Sequence, residues 1–315
     1  MYIMYIYAYL CARSRMMRRK IVPHGPSSMT ISLPYSWVKS NNLKKGEELD
    51  VLEEDNNLII RPISSNDDLK KIDTSFIGID KSTRKDLILA LHEKGYDEIK
   101  IAYDNDDTIK ELQSLLNDMQ LGFEIIKHEY NTIFIRNVTN PDAGQFDNLF
   151  RRIFRITIEY SKKIEGILDK KEDITNSSLL HEVSINRISI YCKRIIIKDR
   201  RQNAYFLHAI IDELNNITHD VTRILKELKE MEKTYSKKFI SKYGEVTDIL
   251  VEAYHLHYKF SLQDFDTIKK NSETLRKHLE EMTIKDSTDP YYLDALISIH
   301  HRIDILLVST LSLQF

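Results

Sequence analysis

The period of the apolar positions changes along the chain. Before residue 62 they come in short runs bounded by turn residues: "KIVPHG" and "MTISLP", then "ELDVLEE" and "NLIIRP" on either side of "DNN". Short β-branched runs separated by Gly, Pro, Asn and Asp predict strands and hairpins. Between them, "PYSWVKSN" opens on Pro34, whose fixed φ suits the first turn of a helix. From about Thr74 to Thr139 the segments "SFIGID", "STRKDLILALHEKG", "EIKIAY", "DTIKELQSLLNDMQLG", "FEIIKHEY" and "TIFIRNV" follow one another. That order, β-α-β-α-β-β, predicts a small α/β sandwich. Ser82 is the expected N-cap of its first helix, Gly95 lies just past that helix, and a hairpin turns around Asn131. From Pro141 onward the period is helical. The stripe Phe206, Ile210, Leu214, Ile217, Val221, Ile224, Leu228, Met231 is sustained over many turns, as in helices that bury one face in an antiparallel bundle. Three helices, a polar break near 236–244 and three more read as a duplicated three-helix unit.

The fold class expected is therefore multi-domain α+β. Its parts are a leader (1–17), a β-rich module (18–63), a small α/β domain (74–139) and two three-helix units (142–236 and 241–315), with "ISSNDDLKK" as a polar linker. The leader "MYIMYIYAYLCA" is apolar but shorter than the roughly 20 residues that span a bilayer. Its basic residues follow the apolar run, whereas those of a signal peptide precede it. A membrane-surface anchor, an edge strand and a translation start at Met16 or Met17 are the three readings, and the last is adopted: a leader that is disordered or not translated.

Composition narrows the function. The 315 residues are 42% hydrophobic and 30% charged with a formal net charge of -2, so any contact with nucleic acid must come from a local patch. Cys11 and Cys192 form neither a disulfide framework nor a zinc spacing, which fits a reducing cytosol. No glycine-rich phosphate loop follows a strand, the eleven histidines contain no H-E-x-x-H, and no elbow presents a serine nucleophile. His255 with His257, and His300 with His301, diverge on a helix. Asp169 and Asp173 are spaced to converge but sit where a helix frays. Neither an enzyme nor a bound cofactor is expected.

The stretch "GPSSMTISLPYSWVKSNNLKKGEELDVLEEDNNLIIRP" resembles a SpoVT/AbrB-type swapped-hairpin domain. The likeness is carried by the glycine and serines before a strand, by Ser32, Leu33 and Pro34 opening the helix, by Trp37 and Val38, and by the turn from Lys44 to Leu49. It implies a homodimer in which two chains exchange hairpins, because one copy has too little core. Leu33, Trp37, Val38, Leu49 and Val51, with Leu58 and Ile60, are then the dimer core. It also implies double-stranded DNA on the basic face, where Arg18, Arg19, Lys20, His24, Ser27, Ser28 and Lys39 are the candidate contacts. Glu47, Glu48, Asp50, Glu53, Glu54 and Asp55 make the second half acidic, so a dimerisation module with a solvated surface stays open.

The order of modules from Arg18 on, with "LHEKGYDEIKIAY" and "HEVSINRISIYCKRIIIK", resembles the archaeal PhoU-like phosphate uptake regulators. That resemblance implies a cytoplasmic regulator of phosphate transport, with a phosphate transporter ATPase or a signalling protein as partner and no integral membrane segment. An adaptor that never touches DNA is the alternative. The chain departs from the family where paired carboxylates hold metal. Asn215 and His219 stand in one such pair, Glu182 and Asn186 in another, and His301 and Ile305 in a third. A metal cluster is therefore not expected, and Asp212, His219 and Asp220 are the residual candidates.

Overall fold

A computed structural model describes residues 17–26, 28–54, 57–62, 69–119, 122–139, 143–169, 180–231, 235–285 and 290–315. The leader as far as Met16, Ser27, most of the polar linker and Asp173 lie outside them. The chain forms two compact units, 1–68 and 69–315.

In the first unit, β1 (Ile21–Pro23) and β2 (Met29–Ile31) form one hairpin, and β3 (Leu49–Glu54) and β4 (Asn57–Pro62) form another. Helix α1 (Tyr35–Ser40) lies between them in sequence, with Pro34 at its N-cap. Both hairpins are antiparallel, with Val22 opposite Thr30 and Val51 opposite Ile60.

The second unit starts with a four-stranded sheet of order β5-β6-β8-β7: β5 (Lys71–Ser75), β6 (Glu98–Ala102), β7 (Phe123–Glu129) and β8 (Thr132–Asn137). β5 and β6 are parallel, and β8 runs antiparallel to both its neighbours. Ile99, Ile101, Ile133 and Ile135 point to one face and are fully buried. They share a core with Ile88 and Leu91 of α2 (Lys81–Glu93) and with Leu112 and Leu116 of α3 (Asp107–Met119). Asn131 takes a φ of 53° in the β7–β8 turn, and Gly95 takes 77° just past α2. Two sequence expectations are corrected here. The first strand is "KIDTS", not "SFIGID", because the chain turns at Ile77 and Gly78, whose φ of 71° takes it out of the extended region. The N-cap of α2 is Asp80, not Ser82. Asp80 is the extended residue before the helix, and its carboxylate accepts from the Thr83 N–H at 3.0 Å and the Thr83 hydroxyl at 2.9 Å.

Six long helices follow: α4 (Phe146–Leu168), α5 (Leu180–Lys198), α6 (Ala204–Met231), α7 (Lys237–Tyr258), α8 (Leu262–Lys285) and α9 (Pro290–Ser312). The polar break before α7 is a cap, in which the Ser236 hydroxyl accepts from the Phe239 N–H at 3.1 Å. Helices α4, α5 and α6 contact one another, as do α7, α8 and α9, and the two trios share one core. One continuous cluster runs from Phe146 on α4 to Leu307 on α9, because α6 and α9 pack against each other along their length. The segment Tyr292–Ser312 of α9 is long and apolar enough to cross a membrane, yet Leu296, Ile303, Leu306 and Leu307 are fully buried in this cluster.

Helix α5 belongs to both cores. Ile190 packs into the α/β core, while Ile185, Cys192, Ile195 and Ile196 face the bundle. Burial pushes the Cys192 thiol up to about 12, so it is an inert core residue. Arg194 fixes the junction. Its guanidinium donates to the His92 and Tyr96 carbonyls at 2.9 Å each and to Asp97 Oδ1 at 2.7 Å. Asp97 also accepts from the Lys70 N–H at 2.9 Å and from Lys198 Nζ at 2.7 and 2.8 Å. The Arg194 side chain is 1% exposed and that of Asp97 9%. Removing one member of such a pair strands a buried charge, at about 3–5 kcal/mol. Asp97→Ala should therefore cost that much in urea unfolding. Lys198→Met, at the exposed end of the same cluster, should cost under about 1 kcal/mol. Equal costs would remove Asp97 from this role.

At the α4–α7 contact, His257 lies among the rings of Phe150, Phe154 and Tyr258, at 5.3, 5.3 and 4.9 Å between centroids. Its Nδ1 is 3.4 Å from the Thr310 hydroxyl. Burial holds its imidazole down at about 4. Above the ordinary value of 6.5 both folded and unfolded chains carry the neutral ring. As pH falls from 6.5 toward 4 only the unfolded chain takes up a proton, so stability falls across that window. For this group the loss between pH 6.5 and 4.5 is about 2–3 kcal/mol. His257→Phe should reduce the difference in unfolding free energy between pH 7 and pH 4.5 by that amount, and an unchanged difference would show that His257 does not titrate as described.

Candidate functional site

The first unit is built from segments too short to bury themselves. No described residue in it is buried. Ile21 is 69% exposed, Met29 68%, Val51 61% and Leu58 68%. Of the expected dimer core, Leu33, Trp37, Val38, Leu49 and Ile60 are half-buried and Val51 and Leu58 are exposed. Apolar side chains left in water forgo about 1.5–3 kcal/mol each. The unit therefore presents an apolar surface that a second copy can cover.

Its charged residues are segregated along the sequence. The chain has no acidic residue before Glu47. Arg18, Arg19 and Lys20 are exposed and lead directly into β1, and His24 and Ser28 hold the turn that follows. The His24 N–H donates to the Ser28 carbonyl at 2.8 Å, and the Ser28 hydroxyl donates back to the His24 carbonyl. Gly25, at φ 78°, supplies the left-handed residue this turn needs. Ser28 thus shapes the loop with the hydroxyl that was expected to meet phosphate. Lys39 is exposed on α1, separate in sequence from the hairpin. The acidic residues fall on the approach to β3 and on β3 itself, where Asp50 stands opposite Arg61.

In the second unit, four residues named from sequence as replacements for metal-binding carboxylates come together. Glu182 and Asn186 of α5 and Asn215 and His219 of α6 line one cleft of about 230 Å³, joined by Asn216. Asn216 was missed, although it adjoins Asn215 on the same helix. His219 Nδ1 lies 3.1 Å from Glu182 Oε1. One carboxylate, one imidazole and three amides supply too little negative charge for a cluster of hard cations. The other candidates do not converge here. Asp212 pairs with Lys193 at 2.5 Å. Asp220 is buried and accepts from Arg302 Nε at 2.8 Å and from the Ser298 hydroxyl at 2.9 Å. Asp169 lies just past the end of α4. Among the described residues, no group of three or more His, Cys, Asp or Glu is placed to hold a metal ion.

Ser272 forms a further polar cluster, with His300 Nε2 at 2.9 Å and Asp304 Oδ1 at 2.8 Å. The serine bridges the other two, and both it and His300 are buried, so its oxygen is not presented to a substrate. This cluster joins α8 to α9.

The family model for antidote-toxin recognition MazE, bacterial antitoxin, matches residues 25–68. No curated protein and no solved structure matches the chain. The matched stretch covers most of the first unit, so a MazE/AbrB-type, antitoxin-like domain stands ahead of the α/β and helical unit.

A unit of this type whose apolar residues are exposed should be stable only as a pair. The full chain should have twice its formula mass by light scattering at micromolar concentration. Trp37→Ala should shift it toward monomer, because truncating a Trp buried in the pair costs about 3–5 kcal/mol. A monomeric wild-type chain would refute the pairing.

Proposed function

We propose that this protein is a homodimeric transcriptional regulator whose first unit binds duplex DNA through the β1–β2 hairpin and the basic stretch before it. The observation that carries this reading is the charge segregation inside an antitoxin-like domain. Everything before Glu47 is basic or neutral, and Arg18, Arg19 and Lys20 stand exposed directly before β1. Such a surface suits phosphate contacts, which supply most of the affinity and position a protein on the duplex. The second unit then senses a signal or docks on a partner. The resemblance of its helices to PhoU-like regulators supports phosphate status as that signal, with a transporter ATPase or signalling protein as the partner, in the cytoplasm. The cluster of Ser272, His300 and Asp304 is engaged in joining α8 to α9, which supports a role without catalysis there.

A second reading is favoured by the description of the matched family: the first unit recognises a protein, as an antitoxin does its toxin. Salt dependence separates the two. Each lost phosphate contact flattens the slope of log K against log salt by about one unit on duplex DNA. Arg18→Ala, Arg19→Ala and Lys20→Ala combined should weaken binding to all sequences alike and flatten the slope by two to three such steps, about 2–3 units. An unchanged slope would place the contacts elsewhere. An intact dimer that binds no duplex even at low salt would favour protein recognition.

A further inference from the structure

A groove of about 560 Å³ opens between α2 and α3, away from the polar cleft of α5 and α6. It lies at the carboxyl ends of the two parallel strands. Phe76 follows β5 directly, its N–H donates to the Ala102 carbonyl at the end of β6 at 2.8 Å, and Thr108 opens α3. Open α/β sheets bind ligands in the crevice beyond the carboxyl ends of their strands. The volume lies within the range of small-molecule sites, whose linings are mostly apolar with a few placed polar groups.

The lining has that character. Leu115 and the edge of Met119 give an apolar surface over the buried Phe76 and Leu112. Arg84 is already committed: it donates to the Thr108 hydroxyl at 3.0 Å and to Glu111 at 3.2 Å, bridging the two helices. Lys81 and Lys85, one turn apart at the start of α2, have no ion-pair partner among the described residues, and both line the groove. The opposite wall offers one uncommitted carboxylate, Asp118, whose oxygen accepts from the Ser114 hydroxyl at 3.3 Å. Asp118 lies seven residues beyond Glu111, about 10 Å along α3 from the Arg84 bridge. Two free ammonium groups thus stand at one end of an apolar trough.

We propose that this groove binds a small amphipathic anion, a carboxylate with an apolar body, its head on Lys81 and Lys85 and its body on Leu115 and Met119. Both walls are tied to α5. The Asp118 carbonyl accepts from Arg187 at 2.6 and 3.1 Å, and Arg194 holds the end of α2 through the His92 carbonyl. A ligand that sets the spacing of α2 and α3 therefore bears on α5. As the signal read by a regulator, this anion rests on the function proposed above; as a ligand of the second unit it does not.

The test uses the full chain without DNA. Octanoate is titrated by calorimetry and thermal melting, with octanol and octylamine as probes of matched apolar length. Octanoate should bind saturably and raise the melting temperature. Losing the two ammonium contacts in Lys81→Glu with Lys85→Glu should weaken it by about tenfold or more. Asp118→Asn should bind it at least as well as wild type. If the double glutamate variant melts below wild type, Lys81→Gln with Lys85→Gln replaces it, with a smaller loss in the same direction. No octanoate binding, equal binding of octanol, preference for octylamine, or an unaffected lysine variant would each overturn the proposal. The effect of octanoate on duplex binding is measured separately. Its absence would count against the regulatory reading and leave the ligand site standing.

Discussion

The buried pair of Arg194 and Asp97 is the constraint on which the arrangement of the second unit rests. A charge inside a protein is tolerated only when it is paired and hydrogen-bonded. Arg194 is paired with one carboxylate at the start of β6 and donates to two carbonyls at the end of α2, leaving only its buried Nε without a partner. Asp97 meets that condition with a guanidinium, an ammonium and the backbone N–H of Lys70. Satisfying both at once fixes the turn between α2 and β6 against one face of α5. Gly95 belongs to the same device, because a Cβ there would come within 3.1 Å of the Lys198 chain that reaches Asp97.

Since α5 also buries Cys192, Ile195 and Ile196 in the bundle, it is a single rigid wall between two cores. Displacement of α2 or α3 cannot be absorbed at a soft boundary, for there is none between them and the helices. Interiors packed at crystal-like density shift as pieces rather than deform smoothly.

Much of this was legible in the sequence because hydrophobic period is a local property. The 3.6 period of 146–312 and the glycine after α2 identify helices and their ends without knowledge of their neighbours. Where the reading failed, the deciding contact was close but ambiguous, or distant. Asp80 and Ser82 are both good caps two residues apart, and only the extended backbone at Asp80 decides between them. "SFIGID" has strand-forming residues, but Phe76 is buried after the strand ends and Gly78 turns the chain. The stripes show which face of each helix is apolar but not which helix covers it, so the single core that joins the two trios through α6 and α9 is not legible in them. Spacing four apart puts Glu182 with Asn186 on one helix face and Asn215 with His219 on another, but it does not show that the two faces meet in one cleft. The Arg194–Asp97 pair spans 97 residues, and its one local sign is an arginine set directly against the apolar run Ile195–Ile197. The groove between α2 and α3 had no such sign, since Lys81, Lys85 and Leu115 are ordinary residues for helix surfaces.

That no described residue of the first unit is buried bears on the order in which the chain is completed. Synthesis delivers that unit first, yet nothing within one copy can close it. The α/β and helical unit emerges later with complete cores and can condense alone, in the order domains usually follow. If two copies pair as proposed, the part made first is the part finished last, waiting on an encounter between two chains. Its folding is then second order in protein concentration, and ribosomes translating the same message side by side are the place where such encounters are most frequent.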